Sequence, residues 1–484
     1  MRKHATDGGT MAEVTLIIHG WSDSSHSFRR MKDFLVANRV GTVDSIQYAD
    51  YESREDNITF NDVVDGLHDR MVEKGFITRD GRKLVDLNVV VHSTGGLIIR
   101  HFIWRYWHRD GDRLEECPVR RLVMLAPANF GSPLAHRGKS FFGSLIKGRK
   151  GLDDFLETGR QLLDGLELGS SYQWELAHRD LLTRRPLYSS RRIATTVLVG
   201  VEDYEGIRRF VNKPGTDGTV VIAGTALDAT KLVLSFCEPR GRDVSACSWA
   251  RARGPNEFAF GVLEGLNHGS IVHAVGSGEG SQIGGLLLEA LRCRTPDRFR
   301  SYRRKLDGIT NATYRTPGRR RYQQFLVHAV DDQDAPIRDF SLEFFVVKRS
   351  RRTADALLKS RRRGKVEREL GEEAHERMTR QFHTYGSDPS YRRFLVDVGE
   401  MQQFLERAER TLGEPAVLCL RIHVPRIDAG IEYDVRRLQN IVIHDPAVTS
   451  RRSGFFRPDA TTLIELRVDR TTRYVTIQTQ PRRH

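Results

Sequence analysis

At 484 residues, with 39% hydrophobic and 29% charged residues, the chain exceeds the roughly 250–300 residues at which a single core stops growing, so two domains are expected. No apolar run approaches the roughly 18 residues of a bilayer span, and the five cysteines (Cys117, Cys237, Cys247, Cys293, Cys419) lack CxxC or Cys/His ligand spacing. These features exclude a transmembrane helix bundle, a disulfide-built scaffold and a zinc module. The net charge of +14 is unevenly placed, since residues 301–484 hold 36 Lys and Arg against 25 Asp and Glu.

The amino-terminal segment is basic, but the apolar stretch Val14–Ile18 that follows is short for a secretory leader, so no leader and a cytoplasmic setting are expected. Met1 and Met11 both remain open as the start. From there to about Arg300, VTLII, VDSIQY, LNVVV, RLVML and ATTVLVGV predict buried strands. Between them, MKDFLVAN, FNDVVDGLHDRMVEKG and GGLIIRHFIWRYWH carry apolar residues at helical spacing. Strand and helix in alternation predict an α/β fold over residues 11–300, a mostly parallel sheet with helices on both faces.

Residues 131–192 break that alternation. They are expected to form either a helical cap over the carboxyl edge of the sheet, where ligands bind, or an ordinary helical excursion. Residues 301–317 read as a basic linker. Beyond it, QFLVHAV, DFSLEFFVV, AVLCLRIHV, LQNIVIH, TLIELRV and RYVTIQT predict an antiparallel β-sandwich accessory domain over 318–484, folding separately. Its charged insertion, 349–381, has little apolar face and is expected to be a solvated helix or a disordered loop.

The chemistry is concentrated before residue 290. LNVVVHSTGGLIIRHFI runs a strand into His92-Ser93-Thr94-Gly95-Gly96 and then a helix, the context in which a sharp turn exposes a serine hydroxyl as a nucleophile. The pattern departs from G-x-S-x-G, because Val91 stands where a small residue is usual. His19-Gly20 follows the first strand directly, so the backbone amides of Trp21 and Thr94 are candidate oxyanion donors. Downstream lie an aspartate and a histidine in the order such a triad requires: Asp217 in Gly-Thr-Asp-Gly or Asp203 at the end of VLVGVED, then His268 in Leu-Asn-His-Gly-Ser. His273 reads as a helix residue, and His92 as a structural or pocket-wall residue.

The blocks HGW, VHSTGG, APANFGSP, GTDGTV and LNHGS resemble α/β-hydrolase lipases and esterases, particularly the PGAP1-like and bacterial triacylglycerol-lipase groups, over residues 14–290. The resemblance implies Ser93, Asp217 and His268 as the triad. It also implies a pocket rim around Asn129 to Ser132 and an apolar acyl site beneath the 131–192 insertion; substrate contacts are expected from His19, Gly20, His92, Asn129 and Phe130.

The expected activity is therefore a serine carboxylic-ester hydrolase of lipase, esterase or phospholipase A type, working through an acyl-enzyme. No metal or other cofactor is expected. The competing class is a non-catalytic lipid-binding or scaffolding protein on a hydrolase fold. The basic excess beyond residue 300 makes a peripheral anionic membrane surface a candidate partner, besides a lipid or ester substrate. The arginine runs lack interleaved aromatics, so no nucleic-acid partner is expected. Ester, thioester and amide cleavage stay open, because the fold does not choose among them.

Overall fold

The computed structural model describes residues 13–19, 25–47, 58–135, 160–205, 212–235, 249–253, 256–278, 281–351, 364–424, 431–433, 441–446 and 454–472. The chain divides into two compact units. The first comprises Met1–Thr230, Arg253–Tyr322 and Asp459–Thr461, and the second Lys231–Ala252, Gln323–Pro458 and Thr462–His484.

The first unit is built on β1 (Glu13–His19), β2 (Thr42–Gln47), β3 (Asp86–His92), β4 (Val119–Leu125), β5 (Ala194–Gly200) and β8 (Phe258–Leu263), all parallel, in the order β2-β1-β3-β4-β5-β8. Helices α1 (Ser25–Ala37), α2 (Phe60–Glu73) and α3 (Gly95–Trp107) are the crossovers between the first strands. Helices cover both faces of such a sheet, which is why the strands read as unbroken apolar runs. Leu16, Ile17, Ile18, Val89, Val90 and Val91 are all fully buried. The start of α2 is fixed by a capping box, in which the Thr59 side chain accepts from the Asp62 amide and the Asp62 carboxylate accepts from the Thr59 amide at 2.8 Å.

Within the 131–192 insertion, α4 (Arg160–Leu166) and α5 (Ser171–Asp180) are helical as expected, while 136–159 lie outside the described residues. Helix α5 is tied to α3 by an ion pair without solvent exposure. Arg100 Nε and Nη2 donate to Asp180 at 2.7 and 2.9 Å, the Tyr188 hydroxyl donates to the same carboxylate at 2.8 Å, and Arg100 Nη1 donates to the Asn129 carbonyl at 2.9 Å. All three guanidinium nitrogens and both carboxylate oxygens of the pair are engaged, the kind of compensation under which buried charge is tolerated.

After α6 (Ile222–Thr225), α7 (Ser270–His273) and α8 (Gln282–Arg292) comes α9 (Pro296–Thr313). The expected linker at 301–317 thus corresponds mostly to an 18-residue helix, with Thr295 as its cap and Pro296 in its first turn. Its basic residues face solvent, while Phe299, Tyr302, Leu306 and Thr310 are buried, and Thr310 Oγ1 accepts from the Val262 amide of β8 at 3.0 Å. A stripe at three- and four-residue spacing was present in the sequence but was outweighed by the density of charge around it.

The second unit contains a three-stranded sheet of β10 (Ser341–Lys348), β13 (Ala416–His423) and β15 (Ile441–His444), and a two-stranded one of β14 (Ile431–Tyr433) and β17 (Arg470–Thr472). Its six-stranded sheet combines β6 (Ala229–Ser235), β7 (Trp249–Arg253), β9 (Tyr322–Asp331), β11 (Phe382–Thr384), β12 (Tyr391–Asp397) and β16 (Thr461–Val468), in the order β11-β12-β9-β16-β6-β7. Residues Lys231–Ala252, expected within the first domain, therefore belong to the second unit, as two strands of its larger sheet.

One hydrophobic cluster takes Phe325 and Val327 from β9, Phe344 and Val346 from β10, Leu418 and Leu420 from β13, and Leu234 from β6. Two helices complete it. In α10 (Lys365–Thr379), Leu370, Ala374 and Met378 join this core, so the charged insertion is, from residue 365, a packed amphipathic helix rather than a solvated one. Residues 352–363 lie outside the described residues. Helix α11 (Val398–Leu412) buries Met401, Phe404, Leu405, Ala408 and Leu412. The Asp397 side chain caps it on the Glu400 amide at 3.0 Å, and Gly413 closes it at φ 71°. The antiparallel part expected from the sequence is thus present, with two helices packed on the same hydrophobic cluster as its sheets. Among the described residues no helix is long and apolar enough to cross a membrane.

Candidate active site

The site is assembled from two strand ends and the loop ahead of α6 in the first unit. At the end of β3 the chain turns sharply through Ser93, whose φ of 54° is a conformation that a side-chain-bearing residue holds only when its surroundings over-determine it. They do so here: the Ser93 amide donates to Leu125 O at 3.1 Å, and its carbonyl accepts from the Ala128 amide at 3.0 Å and the Gly96 amide at 3.1 Å. The bulky Val91 is accommodated from the other side of the turn. A Cβ on Gly95 would stand 3.1 Å from the Val91 Cβ, so the glycine after the turn supplies the close strand-to-helix approach that a small residue at 91 usually gives.

The carboxylate comes from the loop ahead of α6. Gly215 and Gly218 take φ values of 76° and 91°, which fold Thr216–Asp217 into a tight turn. Asp217 Oδ1 accepts from the amides of Thr219 at 3.0 Å and Val220 at 2.8 Å, leaving Oδ2 for a side-chain partner. Residues from far along the chain back this loop. A Cβ on Gly215 would lie 2.7 Å from the Tyr322 ring, and the Tyr322 carbonyl accepts from the Asp459 amide at 2.8 Å. Asp459, itself at φ 55°, accepts from Arg321 Nε at 2.8 Å and from the Tyr314 hydroxyl at 3.0 Å, while burial pushes its carboxyl above the usual range. Thr461 donates its amide to Asp228 O at 3.0 Å.

The imidazole comes from the loop after β8. Asn267 Oδ1 accepts from the amides of Gly269 and Ser270 at 3.1 and 2.9 Å, which shapes the turn, and the His268 amide donates to Asp217 O at 2.9 Å. Gly200, at the end of β5, lets this loop pass close by, since a Cβ there would fall 2.1 Å from Leu266 O. His268 Nδ1 then lies 3.0 Å from Asp217 Oδ2, and Nε2 lies 3.1 Å from Ser93 Oγ. A carboxylate oxygen accepts, so Nδ1 carries the proton and Nε2 accepts from the serine hydroxyl.

Ser93, Asp217 and His268 are therefore brought together, all buried. Asp203 is exposed on the loop after β5, and His273, at the end of α7, is exposed too. Thr94 caps α3 directly after the nucleophile, with its backbone amide at the helix's positive end. His19 ends β1, while Gly20 and Trp21 lie outside the described residues.

The structure also places the remaining described candidates. Asn129 and Phe130 are completely buried rather than on a rim: Asn129 Nδ2 donates to Thr225 O at 2.7 Å, and the Phe130 ring lies under the Arg100 guanidinium at 5.7 Å. His92 faces the base. Its Nε2 is 3.0 Å from the His268 carbonyl and the two rings are 4.7 Å apart, so His92 donates a hydrogen bond that holds the base-bearing loop. Sequence reasoning missed Tyr322, Asp459 and Thr461 because no local motif marks a contact made across more than a hundred residues.

No protein-family model and no curated protein sequence matches the chain. Among solved structures, the phospholipase PlaB from Legionella pneumophila superposes with a TM-score of 0.74 at 20% identity, covering 98% of each chain. The same phospholipase in complex with thio-NAD gives a TM-score of 0.73 at 21% identity over 97% of each chain. The fold is thus that of an α/β-hydrolase with an additional antiparallel part, shared over nearly the whole length with that phospholipase.

Proposed function

We propose that this chain is a serine carboxylic-ester hydrolase acting on lipid esters. The observation that carries the reading is the continuous path from a strained serine at φ 54°, through an imidazole at 3.1 Å, to a carboxylate at 3.0 Å. His268 takes the Ser93 proton as Oγ attacks the ester carbonyl and returns it to the leaving alcohol. Water then repeats the sequence on the acyl-enzyme. Asp217 holds the Nδ1–H tautomer and stabilises the imidazolium. The Thr94 amide, with that of Trp21 as the second donor, would bind the oxyanion, each such donor being worth about 3 kcal/mol.

The choice of a lipid ester is supported by the likeness in fold to a phospholipase along almost the entire chain. The positive excess after residue 300 supports meeting that substrate at an anionic surface.

The test offers p-nitrophenyl esters of increasing chain length, and phospholipids in anionic and in zwitterionic vesicles, to wild type and to Ser93→Ala. A fluorophosphonate probe is used in parallel. Turnover and labelling are expected for wild type, with both lost in the variant and the adduct mapped to Ser93. An adduct on another residue removes Ser93 from the role of nucleophile, and vesicle binding with neither labelling nor turnover of any ester assigns the chain to the non-catalytic class instead.

A further inference from the structure

Four arginines are buried in the described residues, and three have compensation in plain view. Arg100 is paired with Asp180, Arg421 donates to Glu343 at 2.8 Å, and Arg392 donates to the Arg338 carbonyl at 2.9 Å with Asp339 and Asp388 acting on its charge. Arg393 is the exception. It lies in β12 at 5% exposure, on the face opposite the core-facing Phe394 and Val396.

Among the described residues its side chain makes one hydrogen bond, from Nε to Gln324 Oε1 at 3.3 Å. Arg393 Nη2 and Gln324 Nε2 are both buried without an acceptor. Burial pushes the guanidinium down to about 9, with no carboxylate among the described residues acting on it, so it remains charged at neutral pH. The cross-strand neighbour of Arg393 in β11 is His383, which brings no negative charge.

A buried ion without a counter-charge costs several kcal/mol, and buried polar groups are almost always hydrogen-bonded. A water molecule would satisfy an N–H here and leave the charge uncompensated. An oxyanion would do both, because a guanidinium edge and an adjacent amide N–H match its separate oxygens. We propose that Arg393 and Gln324 form a buried site for a small oxyanion, a phosphate or a carboxylate group, in the second unit. The depth of the guanidinium selects a free anion over the headgroup of a lipid still held in a surface. The inference is independent of the hydrolase reading.

The test measures the thermal midpoint of the full chain, freed of phosphate, against inorganic phosphate or acetate, with chloride holding ionic strength constant. Wild type should show a saturable rise of a few degrees with at least one of the two. Arg393→Met should show none, and should be no less stable than wild type in anion-free buffer, since an apolar chain of similar length removes the uncompensated charge. Gln324→Leu, which keeps the charge and loses one donor, should need a several-fold higher anion concentration. It serves as the second variant should Arg393→Met not fold. Equilibrium dialysis of wild type should find about one anion per chain. No response of wild type beyond chloride, an equal response in Arg393→Met, or no bound anion in dialysis overturns the proposal.

Discussion

The parallel-sheet unit and the antiparallel unit solve the same problem of burying a sheet in different ways. Each crossover helix in the first unit follows its strand in the chain, so order in sequence and order in space stay linked. The turns and loops that carry Ser93, Asp217 and His268 appear in reading order. In the second unit the larger sheet takes β6 and β7 from the middle of the chain, between two elements of the first, and sets β6 beside β16. Neighbours in such a sheet need not follow one another in the chain, so two strands from a distant stretch can complete it. A chemical motif in the first unit is therefore a local fact, whereas membership of the second is a long-range one.

Truncation is the severest way to break this comparison. If residues 1–300 formed an independent catalytic domain, as the change of composition suggests, a chain ending there would hydrolyse soluble esters. The structure predicts the opposite. Cutting at 300 leaves the buried Leu232 and Leu234 without the neighbouring β16, and strips Tyr322, Asp459 and Thr461 from the acid-bearing loop. The expected outcome is an aggregated product with no detectable activity on a short-chain p-nitrophenyl ester. A soluble monomer within tenfold of full-length activity would show that the two units are separable after all.

The acid sharpens the comparison within the first unit, because two aspartates competed for one role in the sequence. Asp217→Asn should lower kcat by roughly 10⁴, the loss expected when the imidazole is held in the wrong tautomer. The exposed Asp203 changed to Asn should stay within about twofold of wild type. Steady-state rates on a single soluble ester decide the matter, and the reverse order would move the acid to Asp203.

These two predictions differ in how far the sequence anticipated them. The parallel fold was legible because a sheet covered on both faces leaves continuous apolar runs, and Ser93, Asp217 and His268 because glycines punctuate the turns that project them. Much else was obscured by local composition. Helix α9 read as a linker because its exposed arc is arginine-rich, and α10 read as solvated although Leu370, Ala374 and Met378 lie on one stripe. Helix α11 carries its own signals, the Asp397 cap with Glu400 three residues on and the closing Gly413, but strand patterns flank it on both sides. Asn129 and Phe130 sit in a stretch of small residues that reads as an exposed loop. They are buried because Arg100, a charge in the middle of an apolar helix, takes the Asn129 carbonyl.

His92 offers the finest distinction, between a pocket-wall residue and one that acts through the base. Its Nε2–H donates to the backbone carbonyl of His268, on the same residue whose ring must meet both Ser93 and Asp217. A single such bond is worth about 1 kcal/mol, so His92→Leu should lower kcat roughly five- to tenfold. KM should hold, since no substrate contact is lost, and the rate of fluorophosphonate labelling at Ser93 should fall by the same factor as kcat. His92→Gln, whose amide can donate to the same carbonyl, should recover most of both rates. A pocket-wall role predicts another pattern, in which KM rises with chain-length dependence and Gln is no better than Leu. If the two substitutions behave alike and only KM moves, His92 touches substrate, and the loop bearing the base is held by the Asp217 carbonyl and Asn267 without it.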